Sequence, residues 1–367
     1  MCAMPFRIAN VRTMSKNLPL RFAAVVGAAL MALSGCAAPP DQATGPTASA
    51  FCARMVTNSG GLHDRSFNES SWAGLQKAEK EYSIGAKVLV STGETDLIPN
   101  VDQAVQSGCG FVLTVGYELA PATEKAAKAN PKTDFAIVDE TVDAPNVKPI
   151  IFDTAQAAYL AGYLAAGIST TGKVATFGGG NQPPVTLFMD GFADGVAKYN
   201  EVHGTAVQTL GWSKAAQDGV FTGDFEDTTK GFNFTQNLIG QGADVILPVA
   251  GQVGEGAAAA ALAAGNVSLI WVDNDGYDTL PAKYRGILLT SVLKNTEQAV
   301  AAIAKSSKDG TFDNTPFVGT LENGGVGIAG FHDMAAKVSA QLASEVKGLQ
   351  ADIVSGALVV TSPSTPK

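Results

Sequence analysis

From residue 51 onward, short apolar runs alternate with amphipathic segments of helical period, and this alternation constrains the fold more than any other feature. The runs cover 51–57, 86–91, 111–115, 134–138, 148–152, 173–177, 206–211, 245–249, 269–273 and 286–291. The segments between them, 66–81, 98–106, 118–130, 154–168, 184–199, 228–241 and 254–264, are rich in Ala, Leu, Lys and Glu. Strand–helix alternation of this length builds parallel sheets with helices on both faces. Apolar runs without clean alternation fit strands buried on both sides. About 315 residues remain from Phe51 onward, more than one hydrophobic core usually holds. Two doubly wound, Rossmann-like α/β lobes are therefore expected. The reading assigns 51–152 with about 287–318 to the first lobe, and 153–286 with about 319–357 to the second. The tail is expected to carry a helix at 296–306, a strand at 324–328 and a last helix at 334–355. In open sheets ligands sit beyond the carboxyl ends of the strands. Two facing lobes can thus share one cleft and close on it by hinge bending.

The first 50 residues have a different character. Lys16 and Arg21 form a basic front, 22–33 is an apolar run too short to span a bilayer comfortably, and Leu33-Ser34-Gly35-Cys36 ends it. A small residue before a cysteine at that point reads as a lipoprotein signal, with residues 1–35 removed and Cys36 carrying the lipid. The stretch from Met14 to Cys36 is a complete leader by itself, so Met14 is the expected start. The competing reading is an anchor helix that is never cleaved. Residues 36–50, mostly Ala, Pro, Thr, Gln, Gly and Ser, read as a flexible linker. The expected place is the extracytoplasmic face of a cell membrane, where two or more acyl chains anchor stably.

Removing residues 1–35 takes away Arg7, Arg12, Lys16 and Arg21 and no acid, so the formal charge of −9 becomes −13. An acidic body argues against nucleic acid as a partner, and a monomer is expected. Cys52 and Cys109 each open an apolar run. In an oxidising compartment two cysteines on neighbouring strands can pair, the alternative being two buried thiols. His63, His203 and His332 are scattered, so neither a metal site nor a cofactor is expected. Catalytic signatures such as G-x-S-x-G or a Walker A loop do not occur.

The densest cluster of polar and aromatic residues lies at the first strand–helix junction, from Thr57 to Glu69. Ser66 and Glu69 have the spacing of a capping box, which specifies the helix start. Asn58 offers both a donor and an acceptor, Phe67 offers a flat face, and Asp64 and Asn68 can bind a ligand or brace the loop. The plain alternative is an ordinary capped loop with Phe67 packed inward.

The run Asp64-Arg65-Ser66-Phe67-Asn68 resembles the D-x-S-F-N signature of the basic membrane protein family. Further matches follow in order: Ala158-Tyr159-Leu160-Ala161-Gly162-Tyr163-Leu164-Ala165, Gly191-Phe192, Trp271-Val272-Asp273-Asn274-Asp275, Leu289-Thr290-Ser291-Val292-Leu293-Lys294-Asn295 and Asn323-Gly324-Gly325-Val326. That family consists of lipid-anchored substrate-binding proteins of ABC importers, and many bind purine nucleosides. The resemblance implies a type I periplasmic-binding-protein fold, with an ABC permease and its ATPase as partners. It implies that Phe67 stacks on a base, that Asn58 reads the base edge, that Asp273 grips ribose hydroxyls and that Lys294 adds a donor to the sugar. Phe225 is the candidate for a second stacking ring from the opposite lobe, and Asp139 and Gly251 are candidate cleft residues. Three positions depart from the family pattern: Asn58 where Asp is common, His63 as an insertion, and Gly276-Tyr277 where Gln is usual. A ligand-sensing receptor of the same fold, for a sugar or other small molecule, is the alternative; an exported nucleoside hydrolase is a more remote one.

Overall fold

A computed structural model of the chain describes residues 51–366. The expected signal peptide, lipid site at Cys36 and linker through residue 50 lie outside the described residues. The first sheet is built from β1 (Cys52–Val56), β2 (Gly85–Leu89), β3 (Phe111–Val115), β4 (Asp134–Val138) and β5 (Val147–Phe152), alternating with α1 (Phe67–Tyr82), α2 (Glu94–Gln106) and α3 (Ala120–Ala129). The chain then crosses through α4 (Thr154–Ile168) into β6 (Lys173–Gly178), α5 (Pro183–His203), β7 (Gln208–Leu210) and a small hairpin, β8 (Trp212–Ser213) with β9 (Asp218–Gly219). Next come α6 (Thr228–Gly240), β10 (Val245–Val249), α7 (Val253–Ala264), β11 (Ser268–Asp273), the one-turn α8 (Gly276–Thr279) and β12 (Leu288–Lys294). The tail holds α9 (Thr296–Lys308), β13 (Phe317–Gly319), β14 (Val326–Ile328) and α10 (Ala340–Val354).

Two six-stranded sheets result, ordered β2-β1-β3-β4-β5-β13 and β7-β6-β10-β11-β12-β14. All pairings within them are parallel except β12 with β14. Central strands β3, β10 and β11 are buried at every residue, which is why their sequences are continuously apolar. The order reverses between β1 and β3 in one sheet and between β6 and β10 in the other. At each reversal the following loops diverge and leave a crevice at the carboxyl ends.

Three sequence expectations are corrected. Residues 287–294 do not belong with the first lobe: Ser268–Asp273 pairs in parallel with β12, in the second sheet. The chain crosses back only after Lys294, where α9 packs on α1. Sheet membership depends on pairing, and nothing local in an apolar run announces its partner. The strand expected at 286–291 is shifted to Leu288–Lys294, because Ala282–Ile287 winds as a 3-10 turn. The last helix is broken: His332–Lys337 is a 3-10 turn, and Ser339, whose hydroxyl accepts from the Leu342 N–H at 3.1 Å, caps a separate α10.

Cys52 and Cys109 are bonded, with Cα atoms 4.9 Å apart. They sit at the amino ends of the adjacent strands β1 and β3. The Tyr–Gly–Tyr helix α4 crosses α5 so closely that a Cβ on Gly162 would lie 2.0 Å from the Phe192 carbonyl oxygen, and one on Gly195 2.0 Å from that of Tyr159. Tyr159 and Tyr163 are buried in that crossing. This motif serves packing.

Candidate ligand-binding site

The carboxyl ends of both sheets face one cavity of about 680 Å³, counting its open mouth. Its walls include all nine ligand candidates read from the sequence: Asn58, Asp64, Phe67, Asn68, Asp139, Phe225, Gly251, Asp273 and Lys294. His63 and Tyr277 are not among the lining residues. Tyr277 instead stacks on His332, ring centroids 4.1 Å apart, and Gly276 lies against Trp271, where a Cβ would come within 2.7 Å.

The loop after β1 is organised by Asp64 rather than by the expected capping box. Its carboxylate accepts from the backbone N–H groups of Ser66 (3.0 Å), Asn68 (2.7 Å) and Glu69 (3.1 Å), the free donors of the α1 terminus. Ser66 occupies the N-cap position but makes no side-chain cap bond. Its hydroxyl donates to the Asp273 carboxylate, which belongs to the other sheet. The Asp64 carboxylate takes the terminal N–H donors, and the Ser66 hydroxyl directs its proton to a charged acceptor, the stronger kind of hydrogen bond. The Asn58 side-chain oxygen accepts from the Gly60 N–H at 3.1 Å and from the Asn68 amide at 2.7 Å. These bonds orient the Asn58 amide nitrogen as the group left for a ligand. Asp64 and Asn68 therefore brace the loop from the cavity wall.

Burial pushes the pKa of Asp64 up from its ordinary 3.8 to about 6, against the pull of the three backbone N–H groups. An acid with a higher pKa when folded stabilises the fold fully below its unfolded pKa, and loses that contribution as pH rises through the folded value. The Asp64→Asn variant lacks this titration. Its stability relative to wild type is expected to improve by on the order of 3 kcal/mol between pH 4 and pH 7, read from urea midpoints at each pH. A flat or reversed difference contradicts the assignment.

The inner wall concentrates charge. Lys294, at the end of β12, pairs with Asp139 from the first sheet, and its ammonium lies 3.8 Å from Asp273 Oδ1. All three side chains are under a tenth exposed. Burial opposes the ammonium, but Asp139 and Asp273 outweigh it and hold the Lys294 pKa above the usual lysine value. The ammonium also faces the rings of Phe67, Phe188 and Phe152 at 5.1, 5.5 and 5.6 Å from their centroids, distances at which ring faces attract cations. Asp139, directly after β4, and Asp273, the last residue of β11, sit at φ 61° and 66°. Left-handed backbone is uncommon for non-glycine residues, though Asp tolerates it. Its cost persists where surroundings dictate the conformation, here at two buried carboxyl residues of the cavity wall.

Aromatic rings come from both lobes: Phe67 from α1, Phe188 from α5, and Phe225 from the loop before α6. Phe225 lies over the backbone of the glycine run after β6, where a Cβ on Gly179 would come within 2.4 Å of its ring. Tyr117, 40% exposed, is also on the wall. Phe188, Ser66, Tyr117 and Gln182 escaped the sequence reading. The run Gly178-Gly179-Gly180 before Pro183-Pro184 was the available signal, since it marks close approach of something to the backbone.

The Bmp family model, described as ABC transporter substrate-binding protein PnrA-like, matches residues 52–362. This chain belongs to the Bmp family. The Bmp protein described here is 31% identical over 366 residues to the ABC transporter nucleoside-binding protein BmpA of Lactococcus lactis, covering 95% of this chain and 99% of that one. It is 26% identical over 311 residues to basic membrane protein A of Borreliella burgdorferi, covering 83% of this chain and 86% of the relative. In fold it resembles an ABC transporter solute-binding protein of Aeropyrum pernix, with TM-score 0.75, 24% identity and coverage of 85% and 94%. This Bmp protein is thus an extracytoplasmic substrate-binding protein of an ABC transporter and not an enzyme. Among the described residues no helix is long and apolar enough to cross a membrane.

Proposed function

We propose that this protein captures a purine nucleoside, or a closely related nucleoside, and hands it to its permease while tethered through lipid on Cys36. The observation that carries the reading is the division of labour in the cavity. Rings from both lobes line the same space as a buried Asp139–Lys294–Asp273 cluster. A flat heterocycle suits the rings, and vicinal hydroxyls suit carboxylates that accept charge-assisted hydrogen bonds. The nucleoside-binding name of the Lactococcus lactis relative supports the same choice. Stacking contributes about 1–3 kcal/mol per base by analogy with nucleic-acid-binding proteins. With ribose hydrogen bonds, this suffices for micromolar binding, about 8 kcal/mol, after lobe ordering is subtracted.

The test is a titration series on residues 51–367 with adenosine, inosine, guanosine, 2′-deoxyadenosine, adenine and ribose. Nucleosides are expected to bind at micromolar level or tighter. The deoxynucleoside and the free base should be at least about tenfold weaker, because a buried carboxylate is left without its partner. Equal affinities for adenosine, deoxyadenosine and adenine contradict the ribose grip. Heat released by a sugar but by no nucleoside overturns the whole reading in favour of a sugar receptor.

A further inference from the structure

Arg65 is not among the residues lining the cavity, yet it takes part in four hydrogen bonds across the cleft. It belongs to the loop after β1, in the first lobe. Its guanidinium reaches the second lobe twice: Nε donates to Glu255 Oε2 at 3.2 Å, in the first turn of α7, and Nη1 donates to the Thr279 carbonyl at 2.9 Å, at the end of α8. Its own carbonyl accepts from Trp271 Nε1 and Asn274 Nδ2, both at 3.4 Å, and the neighbouring Ser66 carbonyl accepts from Asn274 Nδ2 at 3.0 Å. Arg65 also holds φ at 56°, a conformation that a long side chain adopts only when its surroundings impose it. Glu255, Thr279, Trp271 and Asn274 are likewise absent from the cavity wall.

From this geometry we infer that Arg65 is the latch of lobe closure, a positioning residue that sets how long a ligand is held without touching it. The neighbouring side chains, Ser66 and Phe67, do line the cavity. Closing the latch therefore seats the loop that carries them. Opening the cleft has to break the guanidinium contacts and release the loop carbonyls, so the latch acts on escape. Entry takes place with the latch open, so the latch bears on it only through the share of ligand-free protein that it keeps closed. The Arg65–Glu255 pair is partly solvent-exposed, with side chains 39% and 25% exposed, so added salt weakens it.

Two measurements decide the matter. Spin labels at Lys125→Cys on α3 and Asn237→Cys on α6 report the separation of the lobes in ligand-free protein. The Arg65→Ala and Glu255→Gln variants are expected to shift the distribution toward longer, broader distances, with Arg65→Lys intermediate. Stopped-flow kinetics with inosine as probe should show dissociation at least about tenfold faster in Arg65→Ala, which loses both guanidinium bonds to the second lobe, each worth about that much or more. Association should not slow, and should rise by no more than the growth of the open population that the distance distributions report. Glu255→Gln, on a helix surface, guards against a variant that fails to fold. The kinetic arm rests on the nucleoside reading; the distance arm does not. Distance distributions identical to wild type in both variants overturn the latch, whatever the ligand. Failure of inosine to bind wild-type protein, with shifted distances in the variants, overturns the nucleoside reading and leaves the latch standing.

Discussion

Replacing Lys294 by methionine is expected to cost about 3–5 kcal/mol of folding stability at neutral pH, the usual penalty for removing one partner of a buried ion pair. Asp139 and Asp273 are then left together with no cation between them, both side chains 9% exposed. The remedy open to the folded protein is to protonate a carboxylate. The defect should therefore shrink as pH falls from 7 to 5, when unfolding of variant and wild type is compared in urea at each pH. The double variant Lys294→Met with Asp139→Asn should recover much of the loss at pH 7, because it removes one of the stranded charges. A single variant within about 1 kcal/mol of wild type at pH 7 would show that the pair is solvated, contrary to its observed burial. On the nucleoside reading proposed above, binding should disappear in the single variant even where folding is rescued by acid, since the wall loses its proposed donor to the sugar.

The second large effect lies at the opposite end of the first sheet. Cys52 and Cys109 are separated by 57 positions and joined by a disulfide. Closing a loop of that length restricts the unfolded chain by about 4 kcal/mol in the chain-entropy treatment. The Cys52→Ser, Cys109→Ser double variant is expected to lose about that much, read from chemical denaturation against the oxidised protein. Reduction of wild type should reproduce the loss. Ligand affinity should stay within about twofold, because the bond sits at the amino ends of β1 and β3 while the cavity lies beyond their carboxyl ends, a five-residue strand away and hence about 17 Å. A large drop in affinity with little change in stability would mean that the bridge shapes the site and does not tie down the first strand.

Much of the site was legible in the chain. The junction from Asn58 to Asn68 follows the first strand and opens the first helix, and in a doubly wound sheet that position faces the ligand. Asp139 and Gly251 follow β4 and β10, and Asp273 ends β11; strand ends are where a ligand sits, but the family resemblance was what singled these residues out. What stayed hidden depended on contacts between distant segments. Phe188 sits inside α5, and whether a helical ring faces the cavity or the core depends on how the helix is seated. Tyr117 lies in a one-turn 3-10 segment after β3, too short for periodicity to orient. The loop motif was read correctly as a helix start and incorrectly as a capping box, because Asp64 supplies the cap and Ser66 turns to Asp273.

By itself, the sequence determined the α/β class, the two-sheet plan and the strand ends that carry the polar wall, because burial on both faces of a parallel strand leaves a continuous apolar signature and the following loop has only one end of the sheet to occupy. Only the tertiary structure decided that β12 joins the second sheet, that Lys294 meets an aspartate from each lobe, and that Arg65 spans the cleft. Those are pairings between segments far apart in the chain. Their free energy comes from burial and charge neutralisation that exist only once both lobes are folded and facing each other.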